Sequence, residues 1–195
     1  MKNIVVATKN KHKLREYEDI LVPHGFDVFS LFDFPLDEPE ETGRDFLENA
    51  LIKARALRRA TKEPVIADDS GLEVFALDAR PGVMSKRYAK EGSDRANNEK
   101  LLAEMQHHHD RRARFVTVIA LLEKDGTHRF FSGELHGYIH TETAGETGFG
   151  YDPLFIPVGH TRTLAELGSR MKNKISHRAR ALQKLLDHFA KGESP

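Results

Sequence analysis

Lys2-Asn3-Ile4-Val5-Val6-Ala7, running into Thr8-Lys9-Asn10-Lys11-His12-Lys13, decides the class of the fold. An apolar, β-branched run gives way to a polar turn, and a helical pattern follows over about 11–22, with Leu14, Ile20 and Leu21 on one side before Pro23 and Gly25 stop it. The chain therefore opens as β-loop-α. Outward from this unit, Phe26 to Leu31 reads as a second strand and Pro35 to Thr42 as an acidic surface loop. A long helix follows, with Thr42 as its expected N-cap, Asp45 three residues on, and Phe46, Leu47, Ala50, Leu51, Ala54 and Leu57 as its buried stripe. It should end near Lys62, before Pro64.

Pro64-Val65-Ile66-Ala67 is a short apolar run that breaks into Asp68-Asp69-Ser70-Gly71, after which Leu72 to Leu77 resumes with period two. The expectation is an acidic break between two strands. After Arg80-Pro81-Gly82 comes a helix around Asn97 to Met105, then paired strands Phe115 to Leu122 and His128 to Ile139 joined by Asp125-Gly126, a strong hairpin signal. Gly145 to Pro157 reads as a loop. A last helix aligns Ile175, Ala179, Leu182, Leu186 and Phe189. No linker divides the chain, so one domain over 1–195 is expected: α/β, with a mixed β-sheet flanked by helices and a cleft.

Composition narrows the function. Apolar residues make up 39% of the 195, and with the 14 glycines they fall in the roughly 45–50% range of globular domains, so global disorder is excluded. Lys and Arg total 30 and Asp and Glu total 30, a balance that offers no global field to nucleic acid or lipid. Phosphate chemistry must therefore rest on local clusters. The absence of cysteine removes disulfides, thiolate metal sites and cysteine nucleophiles. No stretch approaches the roughly 18 apolar residues of a membrane span, and the expectation is a cytoplasmic protein without a membrane or nucleic-acid partner. His107-His108-His109 lacks a compact ligand spacing and is read as surface.

Four clusters carry possible chemistry. Thr8, Lys9, Asn10, Lys11, His12 and Lys13 at a helix N-terminus form a phosphate cradle or, more blandly, a solvated basic turn; the glycines of a P-loop are missing. Glu40-Glu41 and Asp68-Asp69 supply oxygen ligands suited to Mg²⁺, which commonly takes one or two carboxylates and completes its shell with phosphate and water. Glu40-Glu41 alone fits a hydrated face. Asp68-Asp69 follows an apolar strand, where neighbouring carboxylates repel unless a cation neutralises them. Gly148-Phe149-Gly150-Tyr151-Asp152-Pro153 combines close backbone approach with a stacking face, or else is a packed aromatic turn. Lys172 to Arg178, with Ser176 as a possible cap, puts His177 and Arg178 in a first helical turn, where cations are disfavoured unless an anionic or carbonyl-bearing partner is present.

These segments, together with Glu40-Glu41-Thr42-Gly43, Phe46-Leu47-Glu48-Asn49-Ala50, Ala67 to Leu72 and Pro81 to Tyr88, resemble the non-standard purine nucleoside-triphosphate pyrophosphatases, the inosine/xanthosine triphosphate pyrophosphatases. The match runs in order from Thr8 to Leu182 and is general over about 90–140; Met84 stands where members often carry an aromatic residue. The resemblance implies a homodimeric, two-lobed α/β enzyme that cleaves dITP, ITP or XTP between the α- and β-phosphates with Mg²⁺. By the same match Glu40 and Asp69 hold the metal, Asp69 accepts the proton of the attacking water, and Asp68 supports it. Thr8 to Lys13, Lys53, Ser70, Phe149, Gly150, Tyr151, Asp152, Lys172, His177 and Arg178 form the nucleotide site. Donors from Lys172 or His177 would favour a C6 carbonyl over the adenine amino group. The alternatives are a pyrophosphatase for modified pyrimidine triphosphates, a non-catalytic nucleotide sensor, or an RNA-binding module.

Overall fold

The computed structural model describes residues 2–192. They form two compact units. One comprises the residues up to Asp69, Thr117–Gly133 and the chain from Arg178 onward; the other comprises Ser70–Val116 and Glu134–His177. The strands lie in the order β2-β1-β3-β5-β6-β7, with β4 paired to β3, so the expected mixed sheet flanked by helices is present.

In the first unit β1 (Lys2–Val6) pairs in parallel with β2 (Phe26–Ser30), Lys2 opposite Phe26 and Val6 opposite Ser30. On its other side β1 pairs in parallel with β3 (Val65–Val74), Val5 opposite Val65 and Val6 opposite Ile66. Strand alternation sorts the apolar residues by face. Ile4, Val6 and Ile66 pack with Tyr17 and Leu21 of α1 (Lys11–Leu21) and with Leu182 and Leu185 of α5 (His177–Ala190). Val5, Ala7, Val65 and Ala67 pack with Ala50, Ala54 and Leu57 of α2 (Phe46–Arg58). The β1–α1–β2 and β2–α2–β3 connections therefore cover opposite faces, and the strand order reverses at β1. In open α/β sheets ligands bind beyond the carboxyl ends of the strands at such a point.

Two expectations change here. Asp45, not Thr42, caps α2, its side chain accepting from Glu48 N at 2.8 Å. The reason lies in the residues between: Gly43 N donates to Asn49 Oδ1 and Arg44 N to Glu48 Oε2, so helix side chains reach back and satisfy an entry segment that is not helical. Nor is there a break at Asp68-Asp69. β3 runs through both acids without interruption, because each carboxylate has its own polar partners and the backbone need not leave the sheet to solvate them. The second strand expected over 72–77 is the remainder of β3 followed by a 3-10 turn, Phe75–Leu77.

In the second unit Leu72, Leu101, Met105, Phe115, Leu135, Ile139 and Phe155 lie in one apolar cluster. Its elements are the remainder of β3, β4 (Arg80–Pro81), α3 (Asp94–Glu104), parts of β5 (Arg112–Leu122) and β6 (His128–Ile139), β7 (Phe155–Pro157) and α4 (Leu164–Ile175). β5 and β6 are adjacent, as the Asp125-Gly126 signal indicates. The segment read as a loop over 145–157 ends in a 3-10 turn (Asp152–Leu154) and β7, which pairs antiparallel with β6. α4 is an addition to the sequence reading. Thr163 and Glu166 form a reciprocal capping box at its start, and Lys172 lies in its last turn rather than at the start of α5. Among the described residues no helix is long and apolar enough to cross a membrane.

Candidate active site

The first unit gathers charge at the carboxyl ends of β1 and β3. Thr8 leaves β1 and accepts from Asn10 N at 3.0 Å; Asn10 then caps α1, accepting from His12 N and Lys13 N. That cap starts the helix where Lys13, one turn in, donates from Nζ to Asp68 Oδ2 at 3.0 Å. Arg178, fully buried on α5, reaches the same oxygen with Nη2 at 3.0 Å, while its Nη1 pairs with Glu16. Burial alone would raise the Asp68 carboxyl, and the Lys13 and Arg178 charges overcome it and hold the group well below the usual carboxylate range. Asp68 is thus an ionised anchor.

Asp69, next on β3, takes different partners. Its Oδ1 accepts from Lys53 Nζ at 3.0 Å and its Oδ2 from Asn49 Nδ2 at 3.1 Å, both side chains from α2. Lys53 Nζ also donates to Glu41 Oε1 at 2.9 Å. Burial pushes the Asp69 carboxyl up, opposed by Lys53 and Lys13 and aided by the neighbouring Glu41. The repulsion expected of adjacent acids is relieved by strand alternation: Asp68 meets α1 and α5, Asp69 meets α2. One carboxylate is locked in its charged form, and the other is desolvated and more basic than a free aspartate.

Among the first-unit residues expected at the site, Lys13, Lys53, Asp69 and Arg178 join this cluster. Thr8 and Asn10 shape the turn that feeds it. Lys9 is drawn instead to Asp37 and Glu38, and Lys11 and His12 are exposed on the first turn of α1. Of the adjacent acids on the entry loop, Glu41 enters the cluster, whereas Glu40, expected to hold the metal, is exposed and makes no ion pair among the described residues. Among the described residues no three or more acidic, histidine or cysteine side chains converge as a ready metal cage. The convergence of Glu41 Oε1 and Asp69 Oδ1 on one ammonium nevertheless marks a cation position lined by hard oxygen donors, which suits Mg²⁺ completed by other oxygens.

Asn49 is the partner that the apolar pattern hides, and Gly43 holds it. Gly43 N donates to Asn49 Oδ1 at 2.8 Å, and a Cβ on Gly43 would lie 2.6 Å from that oxygen and 2.8 Å from Asn49 N. Gly43→Ala is expected to displace Asn49 from Asp69, costing about 1–3 kcal/mol of stability and about tenfold in turnover. Denaturant unfolding and initial rates on the purified variant check both.

The second unit holds a separate polar cluster. Asp152, buried, accepts through Oδ2 from Lys172 Nζ at 2.5 Å and from Phe149 N at 2.9 Å. Lys172 Nζ also lies 4.1 Å from the centre of the Phe149 ring. Gly148 has φ +82° and a Cβ there would lie 2.3 Å from Asp152 Oδ2, so glycine is required for this seat. Tyr151 is buried and donates its hydroxyl to Ser85 O at 2.9 Å. His177 stacks on Phe115 with 4.7 Å between ring centres. Gly150 is held by Asp94 and Asn98 of α3, neither of which the sequence reading singled out. Ser70 follows Asp69 on β3 and is half-buried, His107 to His109 are exposed as expected, and Met84 is exposed.

Residues 4–188 match the model of the Ham1 family. A dITP/XTP pyrophosphatase of Halalkalibacterium halodurans is 50% identical over 189 residues, covering 95% of this chain and 97% of that protein. A Ham1 protein of Coxiella burnetii superimposes with a TM-score of 0.89 at 40% identity, over 98% of this chain and 100% of that one. The Ham1 protein of Staphylococcus aureus does so with a TM-score of 0.86 at 42% identity, over 99% and 100%.

Proposed function

The chain belongs to the Ham1 family, and from that premise we propose that it hydrolyses the α–β phosphoanhydride of non-standard purine nucleoside triphosphates, dITP, ITP and XTP, releasing the monophosphate and pyrophosphate. The division of labour between Asp68 and Asp69 carries this reading. Moving a proton off water toward a carboxylate of ordinary pKa about 3.9 is steeply uphill, and a desolvated, more basic Asp69 beside an ionised anchor lessens the gap. Asp69 is the proton acceptor. Lys13, Lys53 and Arg178 supply positive charge for a polyphosphate that brings about four negative charges, and Asp68 holds Lys13 and Arg178 in place.

Mg²⁺ would be held by Asp69 and Glu41, with Glu40 the next oxygen donor on the same loop. When bound, it supplies charge neutralisation of the phosphates and acidification of a bound water. Lys53, which bridges the two carboxylates, would supply its charge to the phosphates. Preference for Mg²⁺, a homodimer and a role in clearing the nucleotide pool are parts of the same proposal.

Base selection falls to the Lys172 cluster. Lys172 and His177 offer donors to a C6 carbonyl and oppose the adenine amino group. Asp152 Oδ2 is engaged by Phe149 N and Lys172 Nζ, so this acceptor is not offered to the C2 amino group of guanine. Leaving that donor unpaired costs about 1–3 kcal/mol, so ITP is expected to exceed GTP in kcat/KM by roughly 5- to 150-fold. Pyrophosphate release from ITP, dITP, XTP, GTP, ATP and dUTP, with and without Mg²⁺, tests the whole proposal. Equal efficiency for GTP and ITP would refute the base assignment, and a preference for dUTP would favour the pyrimidine alternative.

A further inference from the structure

We propose that Asp94 and Asn98, one turn apart on α3, are positioning residues for base recognition, holding Gly150 by both of its backbone polar groups. This rests on the reading that the Phe149–Asp152 loop receives the base. Asp94 Oδ2 accepts from Gly150 N at 2.6 Å, and Asn98 Nδ2 donates to Gly150 O at 3.0 Å. Residues four apart share a helix face, so a single rigid element makes both contacts. Gly150 has no side chain by which the loop could be packed in place; its N–H and C=O are the handles available, and α3 takes both.

The amide of Asn98 is not explained by stability. Its side chain is buried and its Oδ1 has no hydrogen-bond partner among the described residues, an arrangement that costs free energy and that an apolar residue would avoid. The Gly150 carbonyl fixes which end of the amide faces the loop, and the N–H given to that carbonyl is what the residue contributes. The contact from Asp94 is charge-assisted, the stronger kind of hydrogen bond. Gly150 lies between Phe149 and Tyr151, two residues from Asp152. A loop released at Gly150 loses the alignment of the Phe149 ring with the Asp152–Lys172 pair, and with it the fit to the base rather than the cleavage step.

Asn97, the neighbour of Asn98, provides the contrast. It accepts from Ala89 N at 2.7 Å and donates to Lys86 O at 3.2 Å, tying α3 to another segment without touching the loop. The experiment compares the unmutated chain with Asp94→Ala, Asp94→Asn, Asn98→Ala and Asn97→Ala. It measures pyrophosphate release from ITP and GTP with Mg²⁺, calorimetric binding of the α,β-methylene analogue of ITP, and unfolding midpoints. Asp94→Ala is expected to raise the KM for ITP and the Kd of the analogue about tenfold, the worth of one charge-assisted hydrogen bond, with a much smaller change in kcat and a reduced ITP-to-GTP ratio. Asp94→Asn keeps an oxygen acceptor and should recover most of the affinity. Asn97→Ala should lower the unfolding midpoint without that rise in KM. Asp94 is exposed, so its variants test the proposal even if Asn98→Ala does not fold. Unchanged KM and Kd in Asp94→Ala, failure of Asp94→Asn to restore them, or an equal rise in Asn97→Ala would overturn it. An unmutated chain that neither cleaves ITP nor binds the analogue would instead overturn the function on which it rests.

Discussion

Asp69→Asn is expected to reduce turnover of ITP by about 10³-fold, within the range that a positioned general base contributes, while nucleotide affinity is largely kept. The substitution preserves shape and an oxygen toward Lys53 but removes the lone base whose pKa burial has raised. Asn49 and Lys53 still meet a polar group, so the local fold should persist. The discriminating measurement is a single-turnover rate at saturating nucleotide and Mg²⁺, paired with binding of a non-hydrolysable analogue. Near-normal turnover would remove Asp69 from the role of base and make Glu41 the acid to examine next.

The second large effect concerns stability. Arg178→Met removes a fully buried guanidinium from between Glu16 and Asp68, leaving two interior carboxylates short of a cation. Breaking a buried pair in this way costs about 3–5 kcal/mol, roughly 10 °C in midpoint for a chain of this size. The pH dependence follows from the depressed Asp68 pKa. A carboxyl held below its unfolded value contributes stability that is complete above that value and declines as pH falls toward the folded one. In the unmutated chain this contribution should therefore be complete from pH 6 to 8 and decline progressively below about pH 5, where the unfolded aspartate begins to bind protons. Guanidinium unfolding across that series gives the answer; equal midpoints at pH 7 would mean that Glu16 and Asp68 are satisfied without the arginine.

The sequence displays much of this architecture through periodicity. The opening β-loop-α, the hairpin at Asp125-Gly126 and the apolar side of α5 from Ala179 to Phe189 appear where the pattern puts them, whereas Ile175, expected on the same helix, ends α4 and packs with the second unit's cluster. Helix α2 shows why some chemistry stays hidden. Its buried positions are Phe46, Asn49, Ala50, Lys53, Ala54 and Leu57, an unbroken helical stripe containing two polar residues. Following hydrophobicity alone moves the stripe to Leu47, which is exposed, and passes over Asn49. An amide and an ammonium four residues apart on a buried face were the legible sign of a polar partner across the interface. The Thr163-x-x-Glu166 box likewise announced α4. By contrast, the pairing of Glu41 with Lys53 and of Asp94 and Asn98 with Gly150 depends on tertiary placement, since neighbouring acids in a loop and polar residues on a helix look alike until their partners are fixed.

The continuity of β3 through Asp68 and Asp69 has one more consequence. Because successive side chains on a strand point in opposite directions, the pairing of Val5 with Val65 and Val6 with Ile66 decides which acid meets which helix. Sliding β3 by a single position against β1 would turn each aspartate to the opposite face, aiming the proposed base at the side of α1 and α5 and the anchor at the side of α2. The identity of the proposed base is thus written in the alignment of two backbones, and deletion of Ile66 is expected to erase the proposed chemistry while every functional side chain remains in the chain.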